Sequence, residues 1–318
     1  MYEELRCTKC RSKLKKINNN LICSNDGISY EIKNDIPIMW KTEFDNNREV
    51  KERISKELAF SKDFVTKIKE KLGSSISVAG LGAEEFYLRH TGETYAAKNI
   101  DQRTFDALDK MLPDMSGTKV LNVGCGGGKD AEWLIGRGVE SIVCADISVD
   151  LMELAKEKLN KQKIKPKYYF QANAELLPVA DDSFDAIFFG SVLHHILRPF
   201  IALKEAARIA PLIIACSEPS DMHIFKYILK WTGWSTEYGG LKTHRFNINK
   251  LKKYMSELGY ETTVKTEFTW FPLNLLKRFS NNKTFVDTYY VLLTLIGLFF
   301  GYFGHSFNMV SMRRKIKP

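Results

Sequence analysis

The sequence lacks an apolar opening. Met1-Tyr2-Glu3-Glu4-Leu5-Arg6 has none of the continuous hydrophobicity of a secretory leader, so no export signal is expected. It also lacks a disulfide framework. Six cysteines are spread over 318 residues: Cys7, Cys10 and Cys23 cluster near the start, and Cys125, Cys144 and Cys216 lie singly in or beside candidate strands. Both absences point to a reducing cytoplasm. There is no internal repeat, no low-complexity tract and no aromatic-rich basic motif of the kind single-stranded RNA readers use. The apolar segment Tyr289 to Phe303, which contains no charge, would rise about 22 Å as a helix. That is short of the roughly 30 Å of a bilayer core.

What is present is a globular composition, 44% hydrophobic and 27% charged, long enough for a large core with an appendage. The net charge of +9 is uneven: residues 198–318 carry 18 basic against 8 acidic side chains. A solvated basic face accounts for this. So does a C-terminal part that meets an anionic partner such as nucleic acid, an acidic membrane surface or a phosphorylated substrate.

Short alternating runs broken by turn residues make residues 1–42 a small β-rich module. Residues 43–112 read as a helical linker or cap. Within them Val50, Ile54, Leu58, Val65, Ile68 and Leu72 are spaced for one face of a helix, and a flexible break falls between Gly73 and Gly82. From residue 113 strand and helix patterns alternate. Strands are expected at 119–123, 141–145, 168–172, 184–189, 212–216, 262–270 and 307–313, with Ser148 capping one helix and Pro199 opening another. Near-continuous apolar strands predict an α/β fold with a mostly parallel sheet covered on both faces.

The densest signal is Val120-Leu121-Asn122-Val123-Gly124-Cys125-Gly126-Gly127-Gly128, a strand entering a glycine turn before a helix. Residues without side chains let a ligand lie against backbone, and Asp146, 22 positions after Gly124, suits two ribose hydroxyls. The Gly-x-Gly-x-Gly spacing and Lys129 disfavour a nicotinamide dinucleotide, whose turn is normally Gly-x-Gly-x-x-Gly.

Four segments in order, VLNVGCGGGKD, VCADIS, QANAELLP and DDSFDAIFFGSVLHHI, resemble the class I S-adenosylmethionine-dependent methyltransferases that act on small molecules and quinones. The resemblance covers about residues 118–218. It implies a Rossmann-like seven-stranded sheet with the last strand antiparallel, and S-adenosylmethionine as cofactor. By carry-over, Gly124, Cys125, Gly126 and Gly128 approach the methionine part, Asp146 binds the ribose and Ile147 packs on adenine. Asn173 and Ala174 flank the adenine edge, and Gly190 and Ser191 border the methionyl group. Two positions depart from the family. Asn122 stands where an aspartate is usual, and Ala210-Pro211 replaces a Pro-Gly-Gly turn.

Methyl transfer is an in-line displacement in which the protein positions the acceptor and excludes water. A hydroxyl acceptor also needs a base. His194 and His195, just after the fourth strand, are the catalytic candidates, with a packing or capping role as the plainer reading. Tyr87 and His90 are secondary pocket candidates. Cys7-x2-Cys10 with Cys23-x2-Asp26 has the spacing of a zinc ribbon with a carboxylate in fourth place; a ribbon that folds without metal fits equally. Residues 5–40 look like the small zinc ribbons that activate methyltransferases, and like the N-terminal ribbon of some bacterial ribosomal RNA guanine methyltransferases.

Residues of about 271–306, including the uncharged stretch, read as an insertion between the last two strands. It would serve as a lid, an oligomer contact or a peripheral membrane contact flanked by Lys277, Arg278, Lys283, Arg313, Arg314 and Lys315, or else as a buried core helix. The leading function is a methyltransferase for a small-molecule or lipid-linked acceptor. The alternatives are an RNA methyltransferase that docks substrate through the ribbon, and a non-catalytic scaffold, for which Asn122 and Asp26 speak.

Overall fold

The computed structural model describes residues 2–40, 47–73, 95–221, 243–267, 279, 281–300, 304 and 306–314. Tyr87 and His90, and most of the segment 268–280, lie outside the described residues. The chain resolves into two compact units. One comprises residues 1–65, 114–192 and 196–213, and the other 66–113, 193–195 and 214–318.

The first unit begins with four short strands: β1 (Leu14–Ile17), β2 (Asn20–Cys23), β3 (Ser29–Lys33) and β4 (Ile36–Pro37). They form an antiparallel sheet in chain order. Alternation decides its inner face: Tyr30 and Ile32 of β3 are buried while Ser29, Glu31 and Lys33 face solvent. Helix α1 (Arg48–Gly73) follows, with Val50, Ile54, Phe64 and Val65 buried. The expected stripe is thus inward at Val50, Ile54 and Val65 and half-buried at Leu58; the side chains of Ile68 and Leu72 lie outside the described residues.

The glycine-turn strand β5 (Lys119–Val123) pairs in parallel with β6 (Ser141–Asp146) on one side and β8 (Ala186–Gly190) on the other, and β6 pairs in parallel with β7 (Tyr168–Gln171). Helices α3 (Lys129–Gly136), α4 (Val149–Lys161) and α5 (Pro199–Ile209) make the connections, and α2 (Tyr95–Asp109) precedes β5. Ser148 caps α4 through its hydroxyl, which accepts the Leu151 N–H at 3.3 Å. Adding β9 (Leu212–Pro219), β10 (Tyr260–Glu267) and β11 (Ser306–Arg313), the whole sheet has the order β10-β11-β9-β8-β5-β6-β7. The last two strands are antiparallel to each other. This is the α/β, mostly parallel arrangement that the apolar strand runs predict, with the seven strands that the family resemblance implies.

The N-terminal sheet is joined to the larger one within the first unit. Leu5 bridges Val179, and Ile38 bridges Gln171 of β7 in parallel, so the small module covers the edge of the large sheet. Arg6 N–H donates to Pro178 O at 2.7 Å and Met39 N–H to Gln171 O at 3.1 Å. Buried Glu4 anchors the seam, ion-paired to Lys119 and Lys167 and accepting the Tyr168 hydroxyl at 2.6 Å.

In the second unit, helix α7 (Lys283–Phe300) packs Val286, Tyr289, Tyr290 and Leu293 against Ala96 of α2. Tyr95 donates to Asp287 at 2.7 Å, and the Arg103 guanidinium lies 4.8 Å from the Tyr290 ring centre. The opposite face of α7 leaves Val291, Leu292 and Leu295 exposed. Among the described residues no helix is long and apolar enough to cross a membrane. Helix α6 (Ile248–Glu257), capped by Asn247, leads into β10.

The Glu4 seam gives a pH signature. Burial pushes its carboxyl up, but Lys119, Lys167 and Tyr168 outweigh this and hold it at about 2 against an ordinary 4.5. A depressed carboxylate contributes stability above its unfolded value and loses it as pH falls through the folded value. Glu4→Gln is expected to cost about 2 kcal/mol at pH 7. In urea unfolding, the wild-type advantage should hold above pH 4.5 and vanish by about pH 2.

Candidate active site

The site is built at the C-terminal ends of β5, β6, β7 and β8, all in the first unit. The order β8-β5-β6 places a topological switch beside β5, where connections leave toward opposite sides and open a crevice.

The glycines of the turn do different jobs. Gly124, Gly126 and Gly128 have φ of +72°, +45° and +82°, which L side chains rarely adopt. A Cβ on Gly124 would strike the Val192 side chain, and one on Gly128 would meet Leu159 Cδ1 at 2.9 Å. Those two positions are closed by the protein's own packing. At Gly127 a Cβ would meet nothing within 4 Å, and at Gly126 only the turn's own carbonyl at 4.0 Å. Bare backbone is therefore presented at 126–127, a narrower span than the sequence suggests.

Asp146 ends β6 and ties the turn together. It is buried, with Oδ2 accepting the Gly126 N–H and Oδ1 the Ser148 N–H, each at 2.9 Å. Burial pushes its carboxyl up, against the lowering effect of these backbone donors, and the Glu57 charge adds to the rise. Glu57 sits on α1 in an ion pair with Arg53 at 2.9 Å. The helix expected to be a linker thus brings charged side chains to the field of Asp146.

The neighbouring loops are ordered by side chains. Ile147 O accepts Gln171 Nε2 at 3.0 Å, and Ala172 N–H donates to Asp146 O at 2.9 Å. Asn173 is buried, and its Oδ1 accepts the Glu175 N–H at 3.0 Å, leaving half-buried Ala174 beside it. Gly190 closes β8 because the Asp130 carboxylate of α3 occupies the space a Cβ would need. Ser191 follows at φ +55°, a left-handed conformation costing on the order of 1 kcal/mol or more. Cys125 is a buried thiol; hydrogen bonding with Cys144 and burial raise its pKa well above the ordinary value, so it stays neutral. Asn122 is fully buried, and neither its Nδ2 nor its Oδ1 has a hydrogen-bond partner among the described residues. A buried orphan amide costs about 1–3 kcal/mol, the kind of debt a bound ligand or water settles.

The two histidines lie in a short 3-10 turn of the second unit and differ sharply. His194 is 3% exposed, and its Nδ1 lies 2.8 Å from Glu218 Oε2. Glu218, fully buried near the end of β9, also accepts the N–H groups of Leu193 and His194 at 2.9 and 3.0 Å. His194 O accepts the His244 N–H at 2.9 Å. His195 is half-buried, with its ring 4.3 Å from that of His194.

Cys7, Cys10, Cys23 and Asp26 converge in the N-terminal sheet. Their ligand atoms lie within 4.8 Å of one another, with Cys7 Sγ 3.1 Å from Asp26 Oδ2 and Cys10 Sγ 3.4 Å from Cys23 Sγ. These spacings suit the corners of a tetrahedron around one ion at about 2.0–2.3 Å.

The sequence patterns assign no role to Asp130, Glu218 or the Arg53–Glu57 pair. Asp130 left a weak trace, an acidic residue in the first turn of the helix after the glycines. Glu218 lies two residues beyond the end expected for its strand, and nothing local marks it.

Residues 121–211 match the family model described as a methyltransferase domain. Methyltransferase GfsG of Streptomyces halstedii is 33% identical over 109 residues, 34% of this chain and 39% of that protein. The ubiquinone/menaquinone biosynthesis C-methyltransferase UbiE of Shewanella frigidimarina is 28% identical over 218 residues, 60% of this chain and 79% of that one. The chain thus spans about two fifths of the first relative's length. The solved magnesium protoporphyrin IX methyltransferase of Synechocystis, with SAH bound, superposes with a TM-score of 0.51 at 13% identity. It covers 81% of this chain and 96% of its own, a likeness of fold.

The glycine assignments separate by stability. Gly190→Ala is expected to lose about 1–3 kcal/mol through collision with Asp130. Gly127→Ala, in open space, should stay within about 0.5 kcal/mol of wild type. Equal melting temperatures for the two variants would refute the assignment.

Proposed function

We propose that this chain, whose residues 121–211 match a methyltransferase domain, transfers a methyl group from S-adenosylmethionine to a small-molecule or lipid-linked acceptor. The observation that carries the reading is the open backbone at Gly126–Gly127 beside the buried Asp146 carboxylate, with Asp130 adding negative charge nearby. An anionic cleft without side chains suits a cofactor with a ribose and a cationic end, and disfavours a pyrophosphate.

When bound, the cofactor supplies a methyl group made electrophilic by a sulfonium. The protein's part is to bind and orient. Asp146 accepts the ribose hydroxyls, Ile147 packs on adenine, and Asn173 and Ala174 border its edge. Gly124, Cys125, Gly126 and Gly128 shape the methionyl side together with Gly190 and Ser191. The orphan amide of Asn122 is available to a polar group or water there. Within the second unit, His194, buried and held by Glu218, positions its turn, and half-buried His195 is the candidate base for a hydroxyl acceptor. Three thiolates and Asp26 hold one zinc ion in the N-terminal module. The likeness to a methyltransferase of ubiquinone and menaquinone biosynthesis supports a small-molecule acceptor. The exposed apolar face of α7, at Val291, Leu292 and Leu295, supports one held at a lipid surface.

Titration calorimetry with S-adenosylhomocysteine tests the cofactor. Micromolar binding is expected, weakened at least about tenfold by Asp146→Ala. It should also weaken as pH falls toward the raised Asp146 value, because only the ionised carboxylate accepts both hydroxyls. No binding at millimolar ligand would favour the scaffold reading instead.

Flotation with anionic liposomes tests the lipid-surface reading. The protein is expected in the floating fraction, and Leu292→Glu should return it to the bottom. Recovery of wild type only at the bottom would reject that surface.

A further inference from the structure

The metal-ligand cluster and the adenosine end of the site are joined by a short run of contacts. Cys7 follows directly on the segment that pairs with the loop after β7: Leu5 bridges Val179, Arg6 N–H donates to Pro178 O, and Ala180 N–H donates to Glu4 O at 2.9 Å. The knuckle between the first two ligands is closed by Arg11 N–H to Cys7 O at 3.0 Å and Cys7 N–H to Ser12 O at 2.9 Å. From it Arg11, at φ +61°, reaches Leu177 O at 2.6 Å and Glu205 at 3.1 Å. The far end of the same module bonds Gln171 through Ile38 and Met39. Gln171 in turn holds Ile147 O, and the next residue, Ala172, holds Asp146 O. The module therefore grips both sides of Asn173 and Ala174, at residues 171 and 177–180.

We propose that a zinc ion at Cys7, Cys10, Cys23 and Asp26 and an adenosyl cofactor at Asp146, Ile147, Asn173 and Ala174 bind with positive coupling, transmitted through the Arg11 knuckle and the Gln171 edge. This rests on the reading of the site as adenosyl-binding. Three thiols and a carboxylate suit zinc, and the ion would join the Cys7–Cys10 knuckle to the Cys23–Asp26 turn. Without the ion the knuckle keeps its backbone bonds and the buried Tyr30 hydroxyl, which accepts the Thr8 N–H at 3.0 Å. Loss of the ion leaves the turn that presents Arg11 to these bonds alone, and loosens the 171–180 segment that must be ordered to receive adenine. A ligand that needs this order then binds less tightly. By reciprocity the ion binds more tightly when the ligand is present.

The test uses the full chain with Zn²⁺ and S-adenosylhomocysteine as probes. Calorimetry before and after chelator stripping should show affinity for S-adenosylhomocysteine falling at least about fivefold. Competition against a chromophoric zinc chelator should show zinc affinity rising by the same factor when S-adenosylhomocysteine is added. Circular dichroism of the stripped chain reports whether it stays folded. If it does not, Arg11→Ala supplies the second arm, since it keeps all four ligands and should weaken S-adenosylhomocysteine binding with zinc still bound. Equal affinities with and without zinc in a folded chain overturn the coupling alone. Failure to take up one zinc per chain overturns it as well. A zinc-loaded wild type that binds no S-adenosylhomocysteine overturns the adenosyl-site reading, and the coupling with it.

Discussion

One buried carboxylate organises the candidate site at the strand ends of the first unit. Asp146 accepts an amide from the glycine turn after β5 and another from the turn that starts α4, and its own carbonyl receives the amide after β7. Three strand ends are thereby tied to one residue. The arrangement costs desolvation, visible in the upward pull on the carboxyl, and two charge-assisted hydrogen bonds offset it. A carboxylate so held is pre-aimed, which is what the proposed contact with two adjacent hydroxyls requires.

The N-terminal module acquires a different meaning in three dimensions. Its spacing of cysteines suggests a zinc ribbon that docks or presents substrate. Its contacts also cover the β7 edge and reach the loop carrying Asn173. An exposed edge strand invites pairing with other chains, and covering it in cis removes that hazard while bracing the site. Glu4, between two lysines and a tyrosine, binds this seam electrostatically.

Much of the α/β core was legible because strands buried on both faces write continuous apolar runs, and because glycine turns and caps are local chemistry. Lys119–Val123 matches its expected bounds, Pro199 opens its helix and Ser148 caps its own, as expected. The β9 strand runs three residues past its expected end, since Ser217, Glu218 and Pro219 carry no apolar signal and are held by partners such as Asn308, whose Oδ1 accepts the Ser217 N–H at 3.0 Å. The same long-range pairing hides Glu218, the anchor of His194.

The sequence by itself determined the strand and helix order, the glycine turn with its distant aspartate, and the four candidate metal ligands, because each is a pattern of neighbours or near neighbours along the chain. Tertiary structure decided which glycines are open and which are filled by Val192, Leu159 or Asp130. It also decided that His194 is buried against Glu218 while His195 is not. Both depend on which distant side chains occupy a given volume, and packing between residues far apart in the chain leaves no periodicity to read.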